Sequence, residues 1–171
     1  MLAVQPSDLS PAGEFRRDDC LRIAAPTASL HRVSSDELVF RSRGPYWAAW
    51  APGDLGEPIV AVAPLFIISP APDIDPAYLA WLLHRPTAQA YFSAEAAGTN
   101  VQMVSKSALA RVPLTVPPIA TQRSIVRAAA EAASEHRLSL RLAELRFAAQ
   151  AANLDRAAQH DTTTNPTRST R

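Results

Sequence analysis

Cysteine is nearly absent: Cys20 is the single one among 171 residues. No disulfide can close within the chain and no thiolate cluster can hold a metal, a pattern that suits a reducing cytoplasm. A charge excess is missing too. Seventeen Lys and Arg against sixteen Asp and Glu leave a net +1. Any affinity for nucleic acid must then come from where a few cations sit, not from their sum. No run approaches the roughly 20 apolar residues of a membrane span. The longest candidate, 59–69, is broken by Pro64. No cationic stretch with a following apolar core opens the chain, so a secretory signal is not expected. The four histidines, at 31, 84, 136 and 160, fall in four segments without an i, i+4 pair. Gly-x-Ser-x-Gly, a Gly-rich phosphate loop and clustered carboxylate pairs are all missing. The chain is therefore expected to be non-catalytic, with no cofactor, no metal and no membrane partner. Asp18, Asp19, Asp73 and Asp75 read as surface or capping residues.

What is present suggests one compact domain with an appendage. Hydrophobic residues make up 47%, and fifteen prolines outnumber five glycines, which favours stiff, extended connections. Residues 1–15 read as an extended lead-in, and Phe15–Ile23 as a short helix or strand. Leu38-Val-Phe is β-branched and aromatic, and Gly44-Pro45 ends it, so a strand is expected between Arg32 and Arg43. Tyr46–Trp50 is a second strand or a loop tip. Ile59–Ala63 and Leu65–Ser69 have the length of buried strands. Asp75-Pro76 opens a helix, aspartate as N-cap and proline at the first position. Its apolar residues Tyr78, Leu79, Leu82 and Leu83 form a buried face. A second helix is expected over Thr87–Ala97, ended by Gly98. Ser105 caps a turn through Leu109, and Arg111–Val116 is a last strand.

From Thr121 to about Ala158 there is neither proline nor glycine. Alanine, arginine, leucine and glutamate favour one unbroken helix. Some 38 residues at 1.5 Å each make a rod of roughly 55–60 Å, too long to bury against the preceding domain. Leu138, Leu142, Leu145, Ala149 and Ala152 alternate at four and three, a coiled-coil spacing. Ile125, Ala129, Ala132 and His136 form a weaker stripe. The residues after 158 are Thr/Asn/Arg-rich, and disorder is expected there.

Two clusters can touch an anionic ligand. Arg41 and Arg43, at i and i+2, share one strand face beside Gly44. Their guanidinium forks suit phosphate or a guanine edge. Tyr46, Trp47 and Trp50 follow, either as sugar or base contacts or as core anchors. In the second cluster Thr99, Asn100 and Gln102 offer polar groups for phosphates or adenine, and Lys106 a cation. The bland alternatives are surface arginines on a polar strand, a helix C-cap and a polar turn.

Val112-Pro-Leu-Thr-Val-Pro-Pro-Ile119 with Gln122 and Ile125 is the most distinctive stretch. With Leu38-Val-Phe-Arg-Ser-Arg-Gly44, Tyr78-Leu-Ala-Trp-Leu-Leu83, Gly98-Thr-Asn-Val101 and Ser105-Lys106, in this order, it resembles one half of the DNA-specificity subunit of type I restriction-modification systems. The resemblance covers roughly residues 30–155. Ile119 stands where leucine is common and Thr121 where an acidic residue is common. The resemblance implies an α+β target recognition domain over 16–116, a coiled-coil helical arm over 117–158 and a tail over 159–171. It implies contacts to double-stranded DNA from Arg41, Arg43, Gly44, Tyr46, Thr99, Asn100, Gln102 and Lys106. The interface residues would be Ile125, Leu138, Leu142, Leu145 and Leu154. The implied partners are a DNA methyltransferase subunit, a restriction/translocase subunit, and a second copy or second half-subunit. The competing expectation is a coiled-coil interaction protein without DNA affinity of its own.

Overall fold

The computed structural model describes residues 1–24, 31–97 and 102–163. The chain divides into two compact units, Met1–Val126 and Arg127–Arg171. The first is α+β, with two small sheets. One has the order β2 (Leu21–Arg22), β1 (Leu2–Val4), β6 (Ile59–Ala61), β3 (Arg32–Val33); the other has β5 (Ala48–Trp50), β4 (Leu38–Arg41), β7 (Leu65–Ile68). Three helices follow: α1 (Pro76–Leu83), α2 (Pro86–Ala96) and the short α3 (Lys106–Leu109).

Two expectations change here. The opening residues are not a lead-in. Leu2, Ala3 and Val4 are all buried, and β1 pairs antiparallel with β2 and parallel with β6. Its three apolar side chains are too short a run to stand out in the sequence. Residues 112–118 form no strand either. Prolines 113, 117 and 118 have no N–H to give a ladder. The segment is held by side chains instead: Val112 and Leu114 pack on the core, and the Tyr78 hydroxyl donates to the Thr115 carbonyl at 3.1 Å.

The hairpin β4–β5 separates two apolar clusters because alternate residues of a strand point to opposite faces. Leu38 and Phe40 join Trp47, Leu79, Leu83, Phe92 and Val104 on one face. Val39 joins Leu2, Val4, Leu9, Cys20, Ile59 and Leu65 on the other. The Cys20 thiol donates to the Ala3 carbonyl, and burial pushes it up to about 11, so it stays protonated and unreactive at neutral pH.

His84 joins three segments. Its Nε2 accepts the Ala49 N–H at 3.3 Å and its Nδ1 lies 2.7 Å from the Ala80 carbonyl, which fixes the neutral Nδ1–H tautomer. Gly13 lies against the ring with φ +78°, and a Cβ there would come within 2.5 Å of it. Burial, with Arg85 adjacent, holds the imidazole below its ordinary pKa.

The helix α4 (Ile119–Thr163) runs unbroken, starting two residues earlier and ending five later than expected. The Pro118 carbonyl accepts the first amides, from Thr121 at 2.8 Å and Gln122 at 3.1 Å. Gln122 is fully buried. Its Oε1 accepts the Asp75 N–H and its Nε2 donates to the carbonyls of Asp73 and Pro117, all at 2.8 Å. Asp75 meanwhile caps α1 through Oδ1, accepting from Ala77 and Tyr78. The first turns of α4 thus belong to the first unit, and the unit boundary lies inside the helix instead of before it.

Gln122→Leu removes three hydrogen bonds and strands three backbone groups, so the first unit should lose roughly 2–4 kcal/mol in urea unfolding. The unfolded chain binds a proton at His84 more readily than the folded one. Stability should therefore hold above about pH 6.5 and fall as the pH drops below it. In His84→Asn that part of the pH dependence should vanish from thermal melts between pH 5 and 8.

Candidate nucleic-acid interface

The Arg41–Tyr46 loop is the tip of the β4–β5 hairpin. Ser42 turns inward and its hydroxyl donates to the Pro64 carbonyl at 2.9 Å. Its neighbours on either side turn to the other face, as period-two alternation requires. Their fates then diverge. Arg41 folds back and is half-buried. Its Nη1 donates to the Pro6 carbonyl at 2.7 Å and to the Tyr46 hydroxyl at 2.6 Å, and its Nε to the Arg43 carbonyl at 3.1 Å. The guanidinium carbon lies 4.1 Å from the Tyr46 ring centroid. Tyr46 passes the chain on, donating to the Leu9 carbonyl at 2.9 Å. Arg41 and Tyr46 therefore brace the hairpin tip against the turn at Pro6–Asp8. Gly44 is needed there because its φ of +118° is a conformation that L side chains rarely adopt.

Arg43 is exposed, with its Nη2 3.8 Å from the Met103 sulfur. Residues 102–104 run beside the hairpin tip: Gly44 N–H donates to the Gln102 carbonyl at 3.1 Å, and Val104 N–H to the Ser42 carbonyl at 2.9 Å. Those two bonds bring Arg43, Gly44 and Gln102, 59 positions apart at the extremes, to one surface with the side chains of Arg43 and Gln102 open to solvent. Thr99 and Asn100 lie outside the described residues. Lys106 is exposed at the start of α3, its ammonium 5.6 Å from the Phe66 ring centroid beside β7. Arg111 is exposed as well. Of the aromatic residues, Trp47 is core and Trp50 stacks on Phe15 at 4.2 Å, so both are anchors.

In the second unit no residue from 127 to 158 is buried, and Leu138, Leu142 and Leu145 are all exposed. At roughly 100° per residue they fall within a band of about 60°. Leu154 does not join them. It stands roughly 160° away from Leu138 on the helical wheel, in line with Leu140 and Phe147. Those three are spaced by seven and are 53–76% exposed. The helix thus carries two apolar stripes on opposite faces. The second stripe is less visible in the sequence beside the 4-3 leucine run at 138, 142 and 145; its signal is the strict seven-residue spacing. Ile125, also expected at this interface, is half-buried in the first unit.

No family model matches the chain, and no curated protein matches it either.

Arg41→Ala should cost roughly 1–3 kcal/mol of stability, since it unmakes the brace to Pro6 and Tyr46. Arg43→Ala should stay within about 0.5 kcal/mol of wild type. Parallel urea titrations check both.

Proposed function

We propose that this chain is a sequence-specific DNA-binding specificity subunit of a type I-like restriction-modification or related defence system. In this reading it is itself non-catalytic and works in the cytoplasm beside methyltransferase and restriction/translocase subunits. The observation that carries the proposal is the buried Gln122 joint, which fixes the start of a 45-residue helix on an α+β unit. A specificity subunit needs both parts: a domain that reads, and a helix that docks partners and sets a distance. Among the described residues no helix is long and apolar enough to cross a membrane.

The contact surface for DNA is the hairpin tip with residues 102–104. Arg43 supplies a free fork of donors for phosphate or a guanine edge, and Gln102 an amide that suits adenine. Arg41 and Tyr46 act indirectly by holding the tip. Lys106 is a further cation on the same unit. Opposite stripes on α4 suit two helical neighbours at once. One would be the arm of a second copy or second half-subunit, the other the methyltransferase. Two arms paired head-to-tail would present two recognition domains to a split palindrome.

The second reading, a coiled-coil interaction protein without DNA affinity, is favoured by one observation: Arg41, half of the arginine pair, spends its donors inside the protein.

With the methyltransferase present, the protein should select a motif from a random duplex pool. Arg43→Ala should lower the salt slope of binding by about one. Gln102→Ala should relax preference at one position, by roughly 1–3 kcal/mol. Failure of the wild-type complex to select any sequence would favour the interaction reading. Glutamate at 138, 142 and 145 should abolish one association in sedimentation, and glutamate at 140, 147 and 154 a different one. Identical losses from both sets would argue against two-sided docking.

A further inference from the structure

β7 is an edge strand. In its sheet it has β4 as its one neighbour among the described residues. Leu65-Phe-Ile-Ile68 carries no charge or proline within it to discourage pairing; Pro64 and Pro70 bound it, and the Leu65 N–H is already held by the Val62 carbonyl at 3.1 Å. A groove of about 660 Å³ runs along it, lined by all four of its residues. The two walls come from opposite faces of the sheet. On one side stand Lys106, Leu109 and Ala110 of α3 and its end; on the other stand Ala61 at the end of β6, Ala63 in the turn into β7, and His31 just before β3. Phe66 and Ile68 belong to the first apolar cluster and Leu65 to the second, so the groove lies along the rim where the two faces meet.

The ends of the groove differ in charge. Lys106 stands near Phe66 and has no ion-pair partner among the described residues. Glu37 stands at the Ser69 end. Its Oε1 accepts the Ser69 hydroxyl at 2.8 Å, its Oε2 accepts the Ser34 N–H at 2.9 Å, and His31 lies 3.6 Å away. Burial alone would raise the Glu37 carboxyl, but those donors outweigh it and hold the group below its ordinary pKa. Phe66 and Ser69 are three residues apart, roughly 10 Å along a strand.

We propose that this slot receives a single extended strand of another polypeptide, paired to the free edge of β7, with an acidic residue against Lys106 and a basic residue at the Glu37 end. Backbone pairing supplies the affinity and the two charges set the direction, as in other strand-addition sites. A lone strand is required. The β7 edge of a second copy carries its own α3 and β6 walls, which would meet these before the two edges could pair. The inference uses neither Arg43 nor Gln102; Lys106 is the one residue it shares with the DNA reading.

The test uses the full chain and two labelled peptides, Glu-Val-Thr-Val-Lys and Lys-Val-Thr-Val-Glu, followed by fluorescence anisotropy. One of the two, set by strand direction, should bind saturably. N-methylation of its alternate amides on the pairing edge should weaken it about tenfold or more, since it removes backbone bonds and leaves the side chains. Lys106→Glu should also weaken it about tenfold, and replacing the peptide's glutamate by lysine should restore binding to that variant. A thermal melt of Lys106→Glu matching wild type ties the loss to the slot. The proposal is overturned if neither peptide binds up to millimolar concentration, or if binding ignores both N-methylation and Lys106→Glu. It is also overturned if a short DNA duplex, and no peptide, binds in a Lys106-dependent way, which would assign the slot to nucleic acid.

Discussion

A single buried amide organises the junction on which the rest depends. Gln122 sits on the first turn of α4 and satisfies two carbonyls and one N–H at a part-buried junction. Those groups belong to Asp73, Asp75 and Pro117, so one side chain closes the loop before α1, the double-proline corner and the helix start together. Glutamine suits this place because its amide offers an acceptor and two donors in one plane. Nothing apolar could replace it without stranding those backbone groups, and nothing charged would be tolerated at full burial. The joint makes the start of α4 part of the α+β unit.

The hairpin tip applies the same economy. Arg41 and Tyr46 bond to each other and then to the carbonyls of Pro6 and Leu9, which leaves Arg43 as the outward cation. Two arginines that alternate identically along a strand are thus divided into a brace and a free donor. The division follows from where acceptors lie. Carbonyls of the opening turn stand within reach of Arg41, whereas Arg43 reaches beyond them to Met103 and solvent. The neighbouring bonds from Gly44 to Gln102 and from Val104 to Ser42 then make the tip and the 102–104 segment one surface.

Much of the fold was legible because local rules dominate it. Asp75-Pro76 forms the expected N-cap, Ser105 accepts the Ala108 N–H at the start of α3, and the runs at 38–41, 59–61 and 65–68 are strands. The long helix was legible from thirty-eight positions without proline or glycine. Three features were not. β1 is a central strand only because β2 and β6 come to it. Residues 112–116 have strand-like composition, but their prolines leave no ladder to join. Leu154 shares its residue type with Leu138, Leu142 and Leu145 but not their angular position, and the angle decides the face.

The sequence by itself determined most of the element types, the uninterrupted helix and the seven-residue spacing of its stripes. These depend on neighbours within a few residues, through caps, steric limits and helical periodicity. Only the tertiary structure decided that Gln122 is a buried joint, that Arg41 is a brace while Arg43 is free, that Lys106 and Glu37 stand at the two ends of one groove, and that β7 has an open edge. Each of these turns on partners 24 to 69 positions away, brought within hydrogen-bonding or packing distance by the sheets. A side chain's polarity sets which bonds it can make, but the fold sets which groups are left for it to make them with.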